Sequence, residues 1–281
     1  HVHHRGRMAN KMFQAMVATE LKARVPNARI LGLNLPEWNL VAEPAKITES
    51  MMTLRGHHFN LDEAAWLLRS GTIDKIALDV WGQRLAYLGP PKRYRELFKP
   101  VARGREIGDD HILINIRADD ILSGWHSKYF PLPYAYYDHV IETSGLKPVF
   151  MGQLTDSNYV RDLKSRYSGA EFLPLASPLE DFETIRGASH VGISISTFSW
   201  LATWLSEKAE SIHMPLSGIY DPVLSKTLLL PVDDPRYRFY QVMFPDMEAR
   251  EGLNLAQWAH HAHVITEWDR QRVRKLILSG L

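Results

Sequence analysis

The chain has 281 residues, 45% apolar and 23% charged, an ordinary globular composition that favours two domains over one large one. Its 33 basic residues are balanced by 32 acidic ones, so nothing global points to nucleic acid, and no apolar run approaches the ~20 residues needed to span a bilayer. The absence of Cys excludes disulfides, thiolate metal sites and a Cys nucleophile, and with no secretory signal visible a cytoplasmic location is expected.

In chain order, residues 10–25 carry Met12, Phe13, Met16, Val17, Ala18 and Leu21 at helical spacing. Residues 28–35 read as a strand, 61–71 as a helix that Gly71 ends, 75–82 as a strand and 91–100 as a short basic helix or turn. Glycines and charges cluster at 102–110, and a new series follows. Strands are expected at 111–121 (running into a polar loop), 147–154, 171–176 and 190–196, with helices at 135–145, 156–167, 178–189 and 198–207. Residues 252–281 read as one or two helices. Repeated strand-helix alternation argues for an α/β fold with parallel sheets. The expected division is an N-terminal Rossmann-like domain at 1–105, a second one at 106–250 that faces it across a cleft, and a helical segment at 251–281.

In such sheets ligands sit at the carboxyl ends of strands. The strand "ILINI" delivers Arg117, Ala118, Asp119 and Asp120 to one strand end, where the Arg fork suits a diphosphate; a loop salt bridge to Asp119 or Asp120 is the alternative. The stretch "HVGISISTFSWLATWL" interrupts an apolar run with Ser194, Ser196 and Thr197 just ahead of a helix. Hydroxyls at a helix N-terminus make an anion site, or simply an N-cap. Near the start, Gly6 permits close backbone approach, and Arg7 and Asn10 offer donors.

These three stretches carry a resemblance. "GRMANKMFQ", "INIRADDI" and "ISTFSWLATWL" are similar, in the same order, to three segments of bacterial alpha-1,2-fucosyltransferases. The resemblance implies a GT-B architecture of two Rossmann-like domains and inverting, metal-independent transfer from a GDP-sugar to a glycan acceptor. It places Asn10 near the donor diphosphate, Arg117 on the beta-phosphate, and Ser196, Thr197 and Phe198 along the nucleotide. The full set of expected donor-binding residues is Gly6, Arg7, Asn10, Arg117, Ser196, Thr197, Phe198 and Ser199, with Arg117, Asn10 and Asp120 in catalytic roles. Asn115 stands where the family has His, Ala118 where it has a second Arg, and Gly152 and Gln153 where it has a serine and acids. A different nucleotide-sugar donor, or a non-catalytic nucleotide- or glycan-binding module, are the alternatives.

Candidates for a general base are Asp119 and Asp120, with His57 and His58 from the other domain. Tyr129, Tyr134 and His126 are candidates for contact with a sugar. The acidic pairs Asp109–Asp110 and Asp233–Asp234 read as turns, and with Asp119–Asp120 they favour a site with neither metal nor cofactor. His260 and His263 have ligand-like spacing without a carboxylate to complete a set.

Overall fold

The structure, a computed structural model, describes residues 1–122, 129–223, 225–242, 255–260 and 264–279. The chain divides into two compact units, residues 1–101 with 226–229 and residues 102–225 with 230–281. The break falls between Val101 and Ala102, a short return of chain belongs to the first unit, and the C-terminal segment belongs to the second.

The first unit begins with helix α1 (Met8–Arg24), followed by β1 (Asn34–Leu35), β2 (Leu40–Val41), β3 (Met52–Gly56), α2 (Leu61–Arg69), β4 (Ile76–Val80) and α3 (Pro91–Leu97). The apolar face read at 10–25 is buried: Met12, Phe13, Met16 and Val17 are fully enclosed. At about 1.5–3 kcal/mol per large apolar side chain, this burial outweighs the weak cap at the start of α1. Asn60 caps α2 by accepting from the Asp62 and Glu63 amides, and Gly71, at φ 73°, lies just past its end. The strand expected over 28–35 is reduced to Asn34–Leu35, because Gly32 turns the chain at φ 80°. The sheet here is also smaller than a Rossmann-like one: β3 pairs with β4 in parallel, and Val2 bridges Leu78 beside them.

The second unit contains β5 (His111–Ile116), α4 (Asp119–Leu122), α5 (Tyr134–Ser144), β6 (Lys147–Gly152), α6 (Asn158–Arg166), β7 (Glu171–Phe172), α7 (Pro178–Gly187), β8 (His190–Gly192), α8 (Thr197–Leu205), β9 (Ser211–Leu216), β10 (Tyr237–Gln241), α9 (Leu255–His260), β11 (Thr266–Trp268) and α10 (Arg270–Ser279). Its described strands form one seven-stranded sheet in the order β11-β10-β9-β8-β5-β6-β7, parallel except for β11. Counted from β5, the six parallel strands run 3-2-1-4-5-6, the order of a doubly wound sheet. Ile112, Leu113, Ile114 and Ile116 of β5 are all buried, as a strand covered on both faces requires. Helices α7 and α8 pack on one another, while α5 and α6 both contact α9.

Three local expectations are corrected. The polar loop after β5 contains the short helix α4, started by two acids in its first turn. The strand expected at 190–196 ends at Gly192, because Ser194 to Ser196 turn tightly, the Ser196 amide donating to the Ser194 carbonyl at 2.7 Å. The C-terminal segment is not wholly helical: β11 pairs antiparallel with β10 at the sheet edge.

His213 on β9 is buried, and its Nδ1 lies 2.8 Å from the Tyr240 hydroxyl. Burial, reinforced by Arg238, His190 and His139, lowers its pKa to about 3, so the folded protein keeps the ring neutral. The unfolded chain protonates it near 6.5, so stability is unaffected above that pH and falls as pH drops from 6.5 towards 3. At pH 4.5 the loss from this group alone is roughly 3 kcal/mol, on the order of 1.4 kcal/mol for each pH unit below 6.5. Urea unfolding of the native protein and of His213→Gln at pH 7 and 4.5 checks this. The variant should lose less stability than the native protein over the same interval, and equal losses would refute it.

Candidate functional site

Strands β5 and β8 are neighbours in the sheet although helices α4 to α7 intervene in the chain. Strand order reverses between them, which in doubly wound sheets opens the crevice where ligands bind. The two stretches singled out in the sequence leave the sheet here. Arg117 follows β5 and donates from Nη1 to the Ile195 carbonyl at 3.1 Å, 78 residues away in the chain. Beneath it, the Ser194 hydroxyl donates to Asn115 Oδ1 at 2.6 Å, both groups being buried. The turn is held from the other side by the Tyr220 hydroxyl, which donates to the Ser196 carbonyl at 2.7 Å.

Each hydroxyl expected to meet a donor has a defined place. Ser196 is the N-cap of α8, its Oγ accepting from the Phe198 amide at 3.3 Å. Thr197 opens the helix and is 8% exposed, and Phe198 is half-buried with its ring edge-on to Phe182 at 5.4 Å. Ser199 is the correction: it is fully buried and its hydroxyl donates to the Ser196 carbonyl at 3.3 Å, so it braces the turn rather than facing a ligand.

The Arg117 guanidinium is closely engaged. Its Nε and Nη2 reach the two Asp120 carboxylate oxygens at 3.3 and 3.0 Å, and the Tyr129 ring lies 4.1 Å from its Cζ. Burial raises the Tyr129 pKa, against an opposing effect of Arg117, so the ring is neutral. The salt bridge weighed as an alternative in the sequence is therefore present. Asp120 orients the fork by accepting from two of its nitrogens. Asp119 is exposed and accepts a hydrogen bond from the Thr155 hydroxyl.

One residue of this site appears in the sequence only as a family departure. Gln153, the first residue after β6, accepts at Oε1 from the Ala118 amide at 3.0 Å and the Asp119 amide at 3.2 Å. It thereby caps the start of α4 and fixes the loop that carries Arg117 and Asp120. A polar residue just past a strand end was its one local signal.

Gly6, Arg7 and Asn10 belong to the first unit. Gly6 has φ 73°, a left-handed backbone that favours glycine, and the Asn10 side chain folds over it, its Nδ2 2.3 Å from where a Cβ would lie. Asn10 Oδ1 accepts from Gln83 Nε2 at 2.9 Å. Arg7 is exposed at the N-cap of α1, which has no side-chain cap and no acid in its first turn. Gln14 closes the preceding loop, accepting from the Arg5 amide at 3.1 Å and donating to the Arg5 carbonyl at 3.2 Å. Thus the Gly6 and Asn10 pair forms within one unit, and Arg117, Asp120, Ser196 and Thr197 gather within the other.

His57 and His58 also lie in the first unit, His57 stacked on Trp81 at 6.3 Å and His58 Nε2 3.5 Å from Arg84 Nη1. Burial first, then Arg84 and Lys226, lowers the His58 pKa and keeps its ring neutral. Tyr134 is not a sugar contact: it is buried and its hydroxyl donates to the Tyr159 carbonyl at 2.8 Å. The acids outside the site have other partners, Asp109 meeting Ser189, Asp110 meeting Lys147, Asp233 meeting Arg274 and Asp234 meeting Arg236. His260 meets Asp162 at 2.9 Å, while His126 and His263 lie outside the described residues. Among the described residues no group of three or more His, Asp or Glu side chains is placed to hold a metal ion, and no helix is long and apolar enough to cross a membrane.

No protein-family model matches the chain, and a search of curated proteins returns no match. The likeness to alpha-1,2-fucosyltransferases therefore rests on the three motifs.

Proposed function

We propose that the chain is an inverting glycosyltransferase of GT-B architecture, with a nucleotide-sugar donor held by the second unit and a glycan as acceptor. GDP-fucose is the favoured donor. The observation that carries this reading is the meeting of Arg117 with the 194–197 turn where strand order reverses, Nη1 lying 3.1 Å from the Ile195 carbonyl. A planar cation and a hydroxyl-capped helix start converge there, and both suit a diphosphate.

In such a transfer the acceptor hydroxyl attacks the anomeric carbon as that carbon's bond to the diphosphate breaks. The hydroxyl proton passes late to a base, for which Asp119 is the exposed carboxylate at this strand end. Negative charge then grows on the leaving phosphate. Donors fixed before the reaction stabilise that charge without reorganising, which is where Arg117 and the α8 amides act. Asp120 in this reading positions the guanidinium. Gln153 supports a second donor choice, because a neutral carboxamide stands at the β6 end where the family carries acids.

The test is thermal unfolding against GDP, UDP and CMP. A ligand at 100 times its Kd stabilises the folded state by about 2.7 kcal/mol. A specific rise with GDP is expected. A rise with UDP or CMP alone selects a transferase with another donor, and no response to any nucleotide sinks the reading.

A further inference from the structure

The first unit contains an open cleft of about 610 Å³ whose lining includes Val41, Ala42, Pro44, Ala45 and Ile47, the apolar residues of one stretch of chain. That volume lies within the ~300–1,000 Å³ of small-molecule sites. Its shape follows from the backbone. Gly32, at φ 80°, lets the chain pass Val2 and Ala45 so closely that a Cβ would sit 2.4 Å from the Val2 carbonyl and 2.7 Å from Ala45 Cβ. The Gly32 amide bonds the Glu43 carbonyl at 2.7 Å, and Pro44, with no N–H, then takes the strand out of the hairpin. The departing chain becomes the apolar wall.

Two features of the lining define what would fit. Val41 is 61% exposed and Ile47 38% exposed, so the wall offers apolar surface with nothing described over it. The lining also includes His3 and Asn34, both exposed, with Asn34 paired directly to Val41 across the β1–β2 ribbon; their side chains make no hydrogen bond to any described residue. Next to them, His4 is fully used, with Nδ1 2.9 Å from Gln14 Oε1 and Nε2 accepting from the Asn34 amide at 2.9 Å. Burial also lowers the pKa of His4, so its ring is neutral. The lining has no Asp, Glu, Lys or Arg. A charged ligand would lose hydration here without gaining a counter-charge.

We infer that this cleft binds a neutral, methyl-bearing sugar, an N-acetylated hexose or a 6-deoxyhexose, with its methyl on the Val41–Ile47 wall and its hydroxyls or amide on His3 and Asn34. The sugar's role as acceptor rests on the proposed transferase function; its binding does not.

Saturation-transfer NMR without nucleotide tests the binding, so failure here is distinguishable from failure of the nucleotide titration. The probes are methyl N-acetylglucosaminide, methyl rhamnoside and sodium glucuronate. At least one neutral probe should bind saturably, with transfer strongest at its acetyl or 6-methyl protons, and glucuronate should not bind. Val41→Asp and Asn34→Ala, both at exposed positions, should each weaken binding at least tenfold with unchanged thermal unfolding. Absence of saturable binding by both neutral sugars, equal binding of glucuronate, or binding untouched by both substitutions would overturn the assignment.

Discussion

Arg117→Ala is expected to lower sugar transfer about 100- to 1,000-fold, the typical cost of removing one preorganised donor to a developing oxyanion. The loss should appear in turnover, because the interaction strengthens as charge builds on the leaving phosphate. Arg117→Lys should lose nearly as much. A single ammonium cannot reproduce a fork that spans both Asp120 oxygens and the Ile195 carbonyl. The structural cost should be small by comparison: the Arg117 side chain is 20% exposed and its partner 37%, a setting in which an ion pair contributes about 0–1 kcal/mol. Thermal unfolding should therefore shift by no more than roughly 2–4 °C. A folded Arg117→Ala protein that transfers at the native rate would remove Arg117 from the chemistry. If both variants failed to fold, Arg117 would be a brace between two strand ends.

Gly152→Ala is expected to destabilise the second unit by about 3 kcal/mol, from two costs at one position. The backbone has φ 112°, where a side chain costs on the order of 1–3 kcal/mol. A Cβ there would also stand 2.4 Å from the Ile116 carbonyl and 2.9 Å from Asn115 Nδ2, both on the neighbouring strand β5. Neither can retreat freely: the Ile116 carbonyl accepts from the Gln153 amide at 2.9 Å, and the Asn115 carboxamide is held by the Ser194 hydroxyl at 2.6 Å. Gly145→Ala makes the comparison. That residue has φ 67° at the end of α5, with nothing within 4 Å of the added Cβ, so about 1 kcal/mol is expected. Urea midpoints of the two variants should differ accordingly. If both were equally mild, the contact of Gly152 with β5 would not constrain the strand end that carries Arg117.

Much of the candidate site was legible because its signals are local. Arg117 after a β-rich run marks a strand end, and Ser196 before an apolar helical run marks an N-cap; both stand where the sequence reading put them. Ser199 misled for the opposite reason. A hydroxyl near a helix start looks available in sequence, yet its position on the helix turns it inward, where it bonds Ser196. Gln153 was visible only as a departure, since its bonds to Ala118 and Asp119 span more than thirty residues. The small first-unit sheet was overread, because apolar residues at 28–33 resemble a strand until Gly32 turns the chain.

The sequence by itself determined the strand-helix alternation from β5 to α8, the starts of α2 and α8 at their N-caps, and the residue types delivered to the ends of β5 and β8. Periodicity, caps and turn residues act within one or two turns of chain, so they are written locally. Tertiary structure alone decided that β8 lies beside β5, that strand order reverses between them, and that Arg117 is braced by Asp120, Tyr129 and Ile195. Strand order depends on which apolar faces bury one another most completely. The partners in that choice are 78 residues apart at Arg117 and Ile195, beyond the reach of any local pattern.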